Sequence, residues 1–507
     1  MKKKTKTGVL IISPETGRLP KNMGPLARYI SGKSGGMGEV IAALCEGLGK
    51  RGIDCHLATL NLKKRFQHEC HLDEESWQSI SHRLDPKRIH LVSSAVLSGL
   101  ESAYEGDPLH NAALFQRHIV NSVIGNVRAK YRGKLIIHSH DWMAGGVITA
   151  YSKRWGCPVL HTVHNIHTGL IAPDLLYGVE MKPLHRYLYY GNGNGDGKHC
   201  IDSHATAIKN ADLVSFVGSC FLKEIVDGSF AENSIFSPAI RQEIKEKYRH
   251  GATLAIINAP SPKLYPERSG NLVAPYGPDD DIMAAKRENL AAFQQRAGLN
   301  VNPEAILFYW PSRLDPTQKG IHLLEDIAQR FVIDHGDAQI AIIGDGVGND
   351  RIHEEICGRI AWSSGGKIVY HRFSEPLSML GFAAASDVFG ASLYEPCGQI
   401  DQIGNLYGAT ATNRDTGGYR DKIQELTLAI DGAAQGSGNG FLFRDYDTGG
   451  LWYGLHKSVE FHRRPAEVRE KQLRRIMKEV RQKHSMDRMI DEYIAAYERI
   501  NGGVPLM

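Results

Sequence analysis

Arg313 and Lys319 stand in Ser312-Arg313-Leu314-Asp315-Pro316-Thr317-Gln318-Lys319-Gly320, directly after the apolar run Ala305–Trp310. An arginine offers a planar fork of donors and a lysine a compact point charge, a combination suited to a diphosphate. Placed there, the two cations would stabilise negative charge developing on a departing group. A solvated turn is the competing reading of the same residues. Further on, Asp415-Thr416-Gly417-Gly418 offers backbone amides and a hydroxyl, the groups that cradle phosphate. Between them lies Tyr394-Glu395-Pro396-Cys397-Gly398, where Glu395 is a candidate to meet a sugar or its developing positive charge. Cys397 has no Cys–His–Asn signature around it, so it is not read as a nucleophile.

Two further clusters lie in the first half. Lys33-Ser34-Gly35-Gly36-Met37-Gly38-Glu39 joins small residues, which let backbone approach an anion closely, to one cation at the opening of a helix. His138-Ser139-His140-Asp141-Trp142 and His161-Thr162-Val163-His164-Asn165-Ile166-His167 place five histidines within thirty residues. A metal site is disfavoured, because the histidines flank strand ends instead of repeating on one helix face. No cluster of thiols or carboxylates completes a ligand set. A polar crevice that hydrogen-bonds a sugar and a set of core histidines both remain open on this pattern.

The elements that must position these residues read as alternating strands and helices. Gly8–Pro14 is a short apolar run of the kind buried on both faces of a parallel sheet. Glu39–Arg51 has helical spacing and stops at Gly52, and Asp54–Leu60 is the next strand. Lys134–Ile137, a helix from Ala144, Val159–Val163, Ala211–Phe216 and Leu254–Ile257 continue the rhythm. It restarts with Ala305–Trp310, a helix near Ile321–Phe331, Gln339–Ile343, Lys367–Tyr370 and Asp387–Ala391. Such alternation implies α/β domains with open, doubly wound parallel sheets, whose ligands sit at the carboxyl ends of strands. The Pro- and Gly-rich stretch Ala259–Asp280 fits an interdomain connection, and Gly191–Gly197 reads as a polar loop. Arg463–Ile500 is a charged amphipathic helical stretch with Met486, Met489, Ile490, Tyr493 and Tyr497 spaced for one buried face.

Length and composition set the bounds. The 507 residues are too many for one core and suggest two large domains. With 42% hydrophobic and 23% charged residues the chain is ordinary globular material, not a disordered one. A net charge of +4 gives no electrostatic argument for nucleic acid. Gly8–Pro14 is too short for a signal peptide or a membrane span, so no membrane partner is expected. Eight scattered cysteines with no C-x-x-C pair favour a reducing, cytoplasmic setting.

With these pieces in order, the sequence resembles the glycogen/starch synthase family of retaining glucosyltransferases. Ser13-Pro14-Glu15 followed by KSGGM resembles the family's opening, with Arg18–Ile30 as an insertion. His110-Asn111-Ala112…Phe115, HSHDWMAG, HTVHN, SRLDPTQKG, YEPCG, DTGG and GNGFLFRDYD (Gly438–Asp447) find counterparts in sequence order. The resemblance implies a GT-B fold, two Rossmann-like domains facing across a deep cleft. Their expected extents are residues 1–258 and 259–480, with 481–507 a helix crossing back to the first domain. It implies glucose transfer from ADP-glucose or UDP-glucose to an α-1,4-glucan with retention and with neither metal nor other cofactor.

Carried over by position, Lys33, Gly35 and Gly36 would approach the donor's phosphates and sugar. Asp141 and His164 would hold the sugar and the attacking hydroxyl, with Asn165 beside them. Arg313 and Lys319 would stabilise the departing nucleoside diphosphate, helped by Thr416, Gly417 and Gly418. Glu395 would lie by the glucose ring, with Cys397 and Gly398 in the same donor loop. Four departures from the family pattern stand out: Met143 in place of a histidine, Asp401 in place of a glutamine, Asn258-Ala259-Pro260-Ser261 in place of Asn-Gly-Ile/Val-Asp, and one extra residue between Arg313 and Lys319. They keep two alternatives in view, a GT-B enzyme with another acceptor and a catalytically silent glucan-binding relative.

Overall fold

Fully buried strands demand apolar residues on both faces, and this chain supplies two sets of them. In the first, β1 (Gly8–Ile12), β2 (Cys55–Leu60), β3 (Ile89–Val92), β4 (Leu135–His140), β5 (Val159–Val163), β6 (Leu213–Phe216) and β7 (Thr253–Ala255) form one parallel sheet in the order β7-β6-β5-β4-β1-β2-β3. Val9, Leu10, Ile11 and Ile12 at its centre are wholly buried. In the second, β8 (Ile306–Trp310), β9 (Ala338–Ile343), β10 (Ile368–His371), β11 (Asp387–Gly390), β12 (Thr410–Arg414) and β13 (Gly440–Phe443) run parallel in the order β10-β9-β8-β11-β12-β13. The computed structural model in which they are seen describes residues 7–33, 35–192, 199–230, 235–427 and 436–506. Ser34 and Gly193–Gly197 of the sequence patterns lie outside those residues.

The second sheet shows why its strands read as unbroken apolar runs. Ile306, Phe308 and Trp310 of β8 enter one core with Phe331 and Leu324, while Leu307 and Tyr309 enter another with Phe293 and Leu380. Successive side chains point to opposite faces, so a strand covered on both sides needs no polar alternation. Each such large side chain contributes about 1.5–3 kcal/mol by leaving water.

The chain divides into two compact units, residues 1–257 with 486–507, and residues 258–485. The stretch Ala259–Asp280, whose composition fits an interdomain connection, is packed into the second unit. Leu272 and Tyr276 are buried in its core, and the Tyr276 hydroxyl donates to the Tyr407 carbonyl at 2.7 Å. Prolines and glycines there shape short 3-10 turns at Pro262–Leu264 and Pro266–Arg268, while the few apolar residues between them anchor the segment. All eight cysteines are free thiols. No helix among the described residues is long and apolar enough to cross a membrane.

The amphipathic stretch after Arg463 is two helices, Ala466–Lys483 and Met486–Ile500. The first buries Leu473, Ile476, Met477 and Val480 in the second unit. The other, called αC here, buries Met489, Ile490, Tyr493, Ala496 and Tyr497 in the first; Met486 is only half-buried. It packs on αN (Gly36–Lys50) so closely that a Cβ added at Gly47 would fall 2.5 Å from Ile490 Cγ1. At the rim, Arg51 Nε donates to Asp491 Oδ1 at 2.7 Å, and its guanidinium pairs with the exposed Asp487 at 3.1 Å.

Truncation of Ile490 to Ala leaves a cavity in a contact with no slack, and should lower stability by about 2–4 kcal/mol. Asp487→Ala removes only an exposed ion pair and should cost less than about 1 kcal/mol. Urea unfolding of the two variants should therefore separate them clearly; equal midpoints would mean that αC is not a packed part of the first unit.

Candidate active site

Strand order reverses once in each sheet, and the candidate residues gather at those two reversals. In the first unit the reversal lies between β1 and β4, where β1 leads on to β2 on one side and β4 to β5 on the other. A reversal of this kind leaves a crevice over the carboxyl ends of the two strands.

After β1 the chain is stitched to the start of αN. Gly32 N–H donates to the Thr16 carbonyl at 2.9 Å and Gly17 N–H to the Gly38 carbonyl at 2.6 Å. Buried Glu15 accepts the Gly35 N–H on Oε2 at 2.8 Å. Residue type and spacing alone assign Glu15 no role, although it stands in the same motif. Gly35 is the N-cap and Gly36 the first helical residue, so the glycine turn is itself the helix start. Lys33 is about half exposed and pairs with Glu39 at 3.0 Å.

After β4, Asp141 adopts φ 54° and ψ −176°, a backbone conformation that L residues with a side chain rarely take. Its Oδ1 accepts the N–H groups of His164 at 2.6 Å and Asn165 at 3.2 Å, which ties β4 to the end of β5. Burial pushes its carboxyl up to about 7 despite those two donors, and the charge of Glu15 adds to the rise. Asn165 turns its own side-chain oxygen to the Ile166 N–H at 2.8 Å.

The histidines behind this carboxylate form a stack. His140 Nδ1 lies 2.9 Å from His164 Nε2 with the rings nearly parallel. The His138 ring is 3.9 Å from that of His140, and its nitrogens meet the Tyr497 hydroxyl and Thr162 Oγ1, both at 2.7 Å. On the opposite face of β4, Ser139 meets His161 Nδ1 at 2.8 Å, and the His204 ring stands edge-on to His161. Burial holds His164 down to about 3 and His204 to about 4, and depresses His138, His140 and His161 strongly, so these imidazoles are neutral at pH 7. Among the described residues no group of three or more His, Cys, Asp or Glu side chains is placed to hold a metal ion.

In the second unit the reversal lies between β8 and β11. The loop after β8 is closed by Asp315, whose carbonyl accepts the N–H groups of Lys319 and Gly320 and whose Oδ1 accepts that of Gln318. This puts Lys319 Nζ 2.5 Å from Glu395 Oε2, with Lys319 and Glu395 largely buried. Ser392 Oγ donates to the same carboxylate oxygen at 3.0 Å. Arg313 keeps half of its side chain in solvent, steadied by Gln318 Oε1 at 3.0 Å and Asp315 at 3.4 Å.

Beside this pair the donor loop and the Asp415–Gly418 turn are in backbone contact. Gly418 N–H donates to the Glu395 carbonyl at 2.8 Å. Gly417 has φ +46°, and a Cβ there would fall 1.9 Å from the Glu395 carbonyl oxygen, so the contact requires glycine. Thr416 is buried at the N-cap of the short helix Gly417–Lys422. Cys397 is buried, with its thiol pushed up to about 11 by desolvation, which removes it as a nucleophile at neutral pH. Asp401 faces inward: its Oδ1 accepts Lys422 Nζ at 2.7 Å, with both side chains about 1% exposed. Lys422 also donates to the Gly398 carbonyl.

Thus Lys33, Gly35, Gly36, Asp141, His164 and Asn165 come together in the first unit. Arg313, Lys319, Glu395, Cys397, Gly398, Thr416, Gly417 and Gly418 come together in the second.

Residues 23–235 match the family described as the starch synthase catalytic domain. The glycogen synthase of Histophilus somni is 29% identical over 346 residues, which is 66% of this chain and 66% of the relative. That of Clostridium botulinum is 24% identical over 497 residues, 92% of this chain and 97% of the relative. Among solved structures, the catalytic domain of starch synthase IV from Arabidopsis thaliana, bound to ADP and acarbose, matches with a TM-score of 0.73 at 19% identity, covering 98% of this chain and 99% of that one. Anabaena HepE, in complex with UDP and glucose, matches with a TM-score of 0.56 at 14% identity, covering 97% and 99%. These likenesses give the fold as GT-B. Joined to the motifs gathered at the strand ends of the two sheets, the sequence matches support a divergent relationship to the glycogen/starch synthase family of glycosyltransferases.

Proposed function

We propose that the protein transfers glucose, with retention, from ADP-glucose or UDP-glucose to the non-reducing end of an α-1,4-glucan. The observation that carries this reading is the half-exposed Arg313 beside the Lys319–Glu395 pair, with the Thr416–Gly418 turn packed against the same loop. That group suits a nucleoside diphosphate, and relatives of the same fold are bound to ADP in one case and to UDP and glucose in the other.

In the proposed step the bond from the sugar C1 to the diphosphate oxygen breaks while a bond from C1 to an acceptor hydroxyl oxygen forms on the same face. The departing phosphate oxygen takes the hydroxyl proton, so no strongly basic side chain is required. Arg313 and Lys319 hold the leaving charge, and Glu395 stands by the sugar. In the first unit, Lys33 and the Gly35–Gly36 turn serve the donor, while Asp141, His164 and Asn165 serve the sugar and the attacking hydroxyl. The family's glutamine is replaced here by Asp401 without adding a free charge, because Lys422 neutralises it internally.

Labelled glucose should enter glycogen from one of the two donors with EDTA present throughout. No incorporation from either, by folded protein, would remove the glucan synthase reading. Arg313→Ala and Lys319→Ala should each lower kcat more than tenfold, a loss of over about 1.4 kcal/mol of transition-state stabilisation. Melting should be unchanged in the first, whose side chain is half exposed, and lowered in the second, which leaves Glu395 unpaired. Wild-type turnover in both variants would exclude the diphosphate role.

Asp141 gives a pH signature. Its carboxyl titrates near 7 in the folded chain against about 3.9 unfolded, so the folded state binds the extra proton between those values. Stability from this group is therefore lost as pH rises from about 4 through 7. Asp141→Asn, which keeps an oxygen for the two N–H groups, should melt above wild type at pH 8, the gain vanishing toward pH 4, while glucose transfer falls. A gain independent of pH would contradict the assignment.

A further inference from the structure

His140 stands in the His138–Trp142 run without a role assigned to it, yet it is the side chain bonded to the ring of His164. It is completely buried, and its Nε2 has no hydrogen-bond partner among the described residues. The two imidazoles are neutral, so one proton lies between His140 Nδ1 and His164 Nε2, donated by one ring to the other. Two arrangements satisfy this bond. If His164 donates, His140 must carry its own proton on Nε2, as a buried N–H with nothing to receive it. If His140 donates, its Nε2 keeps a bare lone pair. An orphaned buried N–H is the rarer and costlier of the two.

The support behind His140 favours a fixed arrangement. His138 presses its ring against His140, and His138 is itself held at both nitrogens by Tyr497 and Thr162, the latter sharing a further hydrogen bond with Ser215 at 2.6 Å. The pairing of β4 with β5 sets His140 opposite Thr162, two residues before His164. Backbone and rings together leave His140 one way to face its partner.

We propose that His140 is a positioning residue that holds His164 in the tautomer protonated on Nδ1, so that His164 offers a hydrogen-bond donor to a substrate hydroxyl. This rests on the reading of His164 as a residue that meets the sugar. A donor fixed in advance suits a hydroxyl oxygen, because no proton must be rearranged as the sugar arrives.

Nitrogen NMR of the full chain labelled with 15N-histidine tests the tautomer without substrate, the His164 signals being identified by their absence in His164→Ala. In wild type the Nδ1 of His164 should carry the proton and Nε2 should not. Signals averaged between tautomers, or protonation on Nε2, would overturn the proposal. In His140→Leu the His164 signals should become averaged; unchanged signals would overturn it as well.

Turnover supplies the second readout. His140→Leu should lose at least tenfold in kcat, with KM for the donor changed less than threefold, and His140→Asn, which restores a donor at the position of Nδ1, should recover most of the loss. Combined with His164→Ala, His140→Leu should cost nothing further, whereas independent losses that multiply would mean that His140 does not act through His164. If wild type transfers no glucose from either donor, the proposed function fails, and the nitrogen signals still decide the tautomer.

Discussion

Where the strand order of a parallel sheet reverses, the connections leaving the two central strands depart in opposite directions, and no helix covers the ends of those strands. Backbone amides at helix starts and the first side chains after each strand are left facing the gap. Both sheets of this protein carry one such reversal: Asp141 follows β4, Arg313 follows β8 and Glu395 follows β11, while His164 and Thr416 follow the neighbouring strands β5 and β12. The surrounding architecture serves to keep these strand ends in register: apolar strands buried on both faces, short turns, and glycines where one backbone meets another.

Desolvation then decides the chemical state of what is placed there. Burial, helped by the neighbouring imidazoles, keeps the histidine stack neutral, and burial with the charge of Glu15 raises Asp141 toward physiological pH, although two amides favour its charge. Where charge has to persist, it is kept in opposed pairs: Lys319 with Glu395 near the surface of its loop, Lys422 with Asp401 deeper in. Neutralising each cation by a carboxylate lowers the cost of burying it, and removing one partner would leave the other uncompensated. The two pairs differ in exposure, so only the first can be reached by a ligand, whereas the second braces the loop from inside.

Much of this site can be read from residue order alone. Arg313, Lys319 and Glu395 announce themselves because each is a charged residue soon after an apolar run, and the Thr416–Gly418 turn because it joins a hydroxyl to two glycines, although the strand before it, Thr410–Arg414, is too polar to read as one. Helical spacing places the start of αN at Glu39, three residues late, since glycines read as a turn even when they form the first turn of the helix. The segment after Ala259 reads as a linker by composition, and only packing reveals that Leu272 and Tyr276 anchor it. His140 is hidden for another reason. Its partner lies 24 residues away on a neighbouring strand, and which histidine meets which depends on strand register, a property of pairing that no single-strand pattern encodes. The break after Lys483 is equally silent: charged residues continue across it, and the change of partner is a matter of tertiary packing.

The first unit is discontinuous in sequence, since residues 486–507 belong with 1–257, while the second runs unbroken from 258 to 485. During synthesis, domains form as their residues emerge, N-terminal material first. Here that order is inverted at one point. The first sheet appears early but lacks the helix that supplies Tyr497 to His138 and Ile490 to the groove at Gly47 until the second unit has already been made. The half that is translated first is therefore the half that matures last, and for the whole of that interval the nascent chain carries an uncovered apolar groove beside its histidine stack. That interval is the time taken to translate more than two hundred residues.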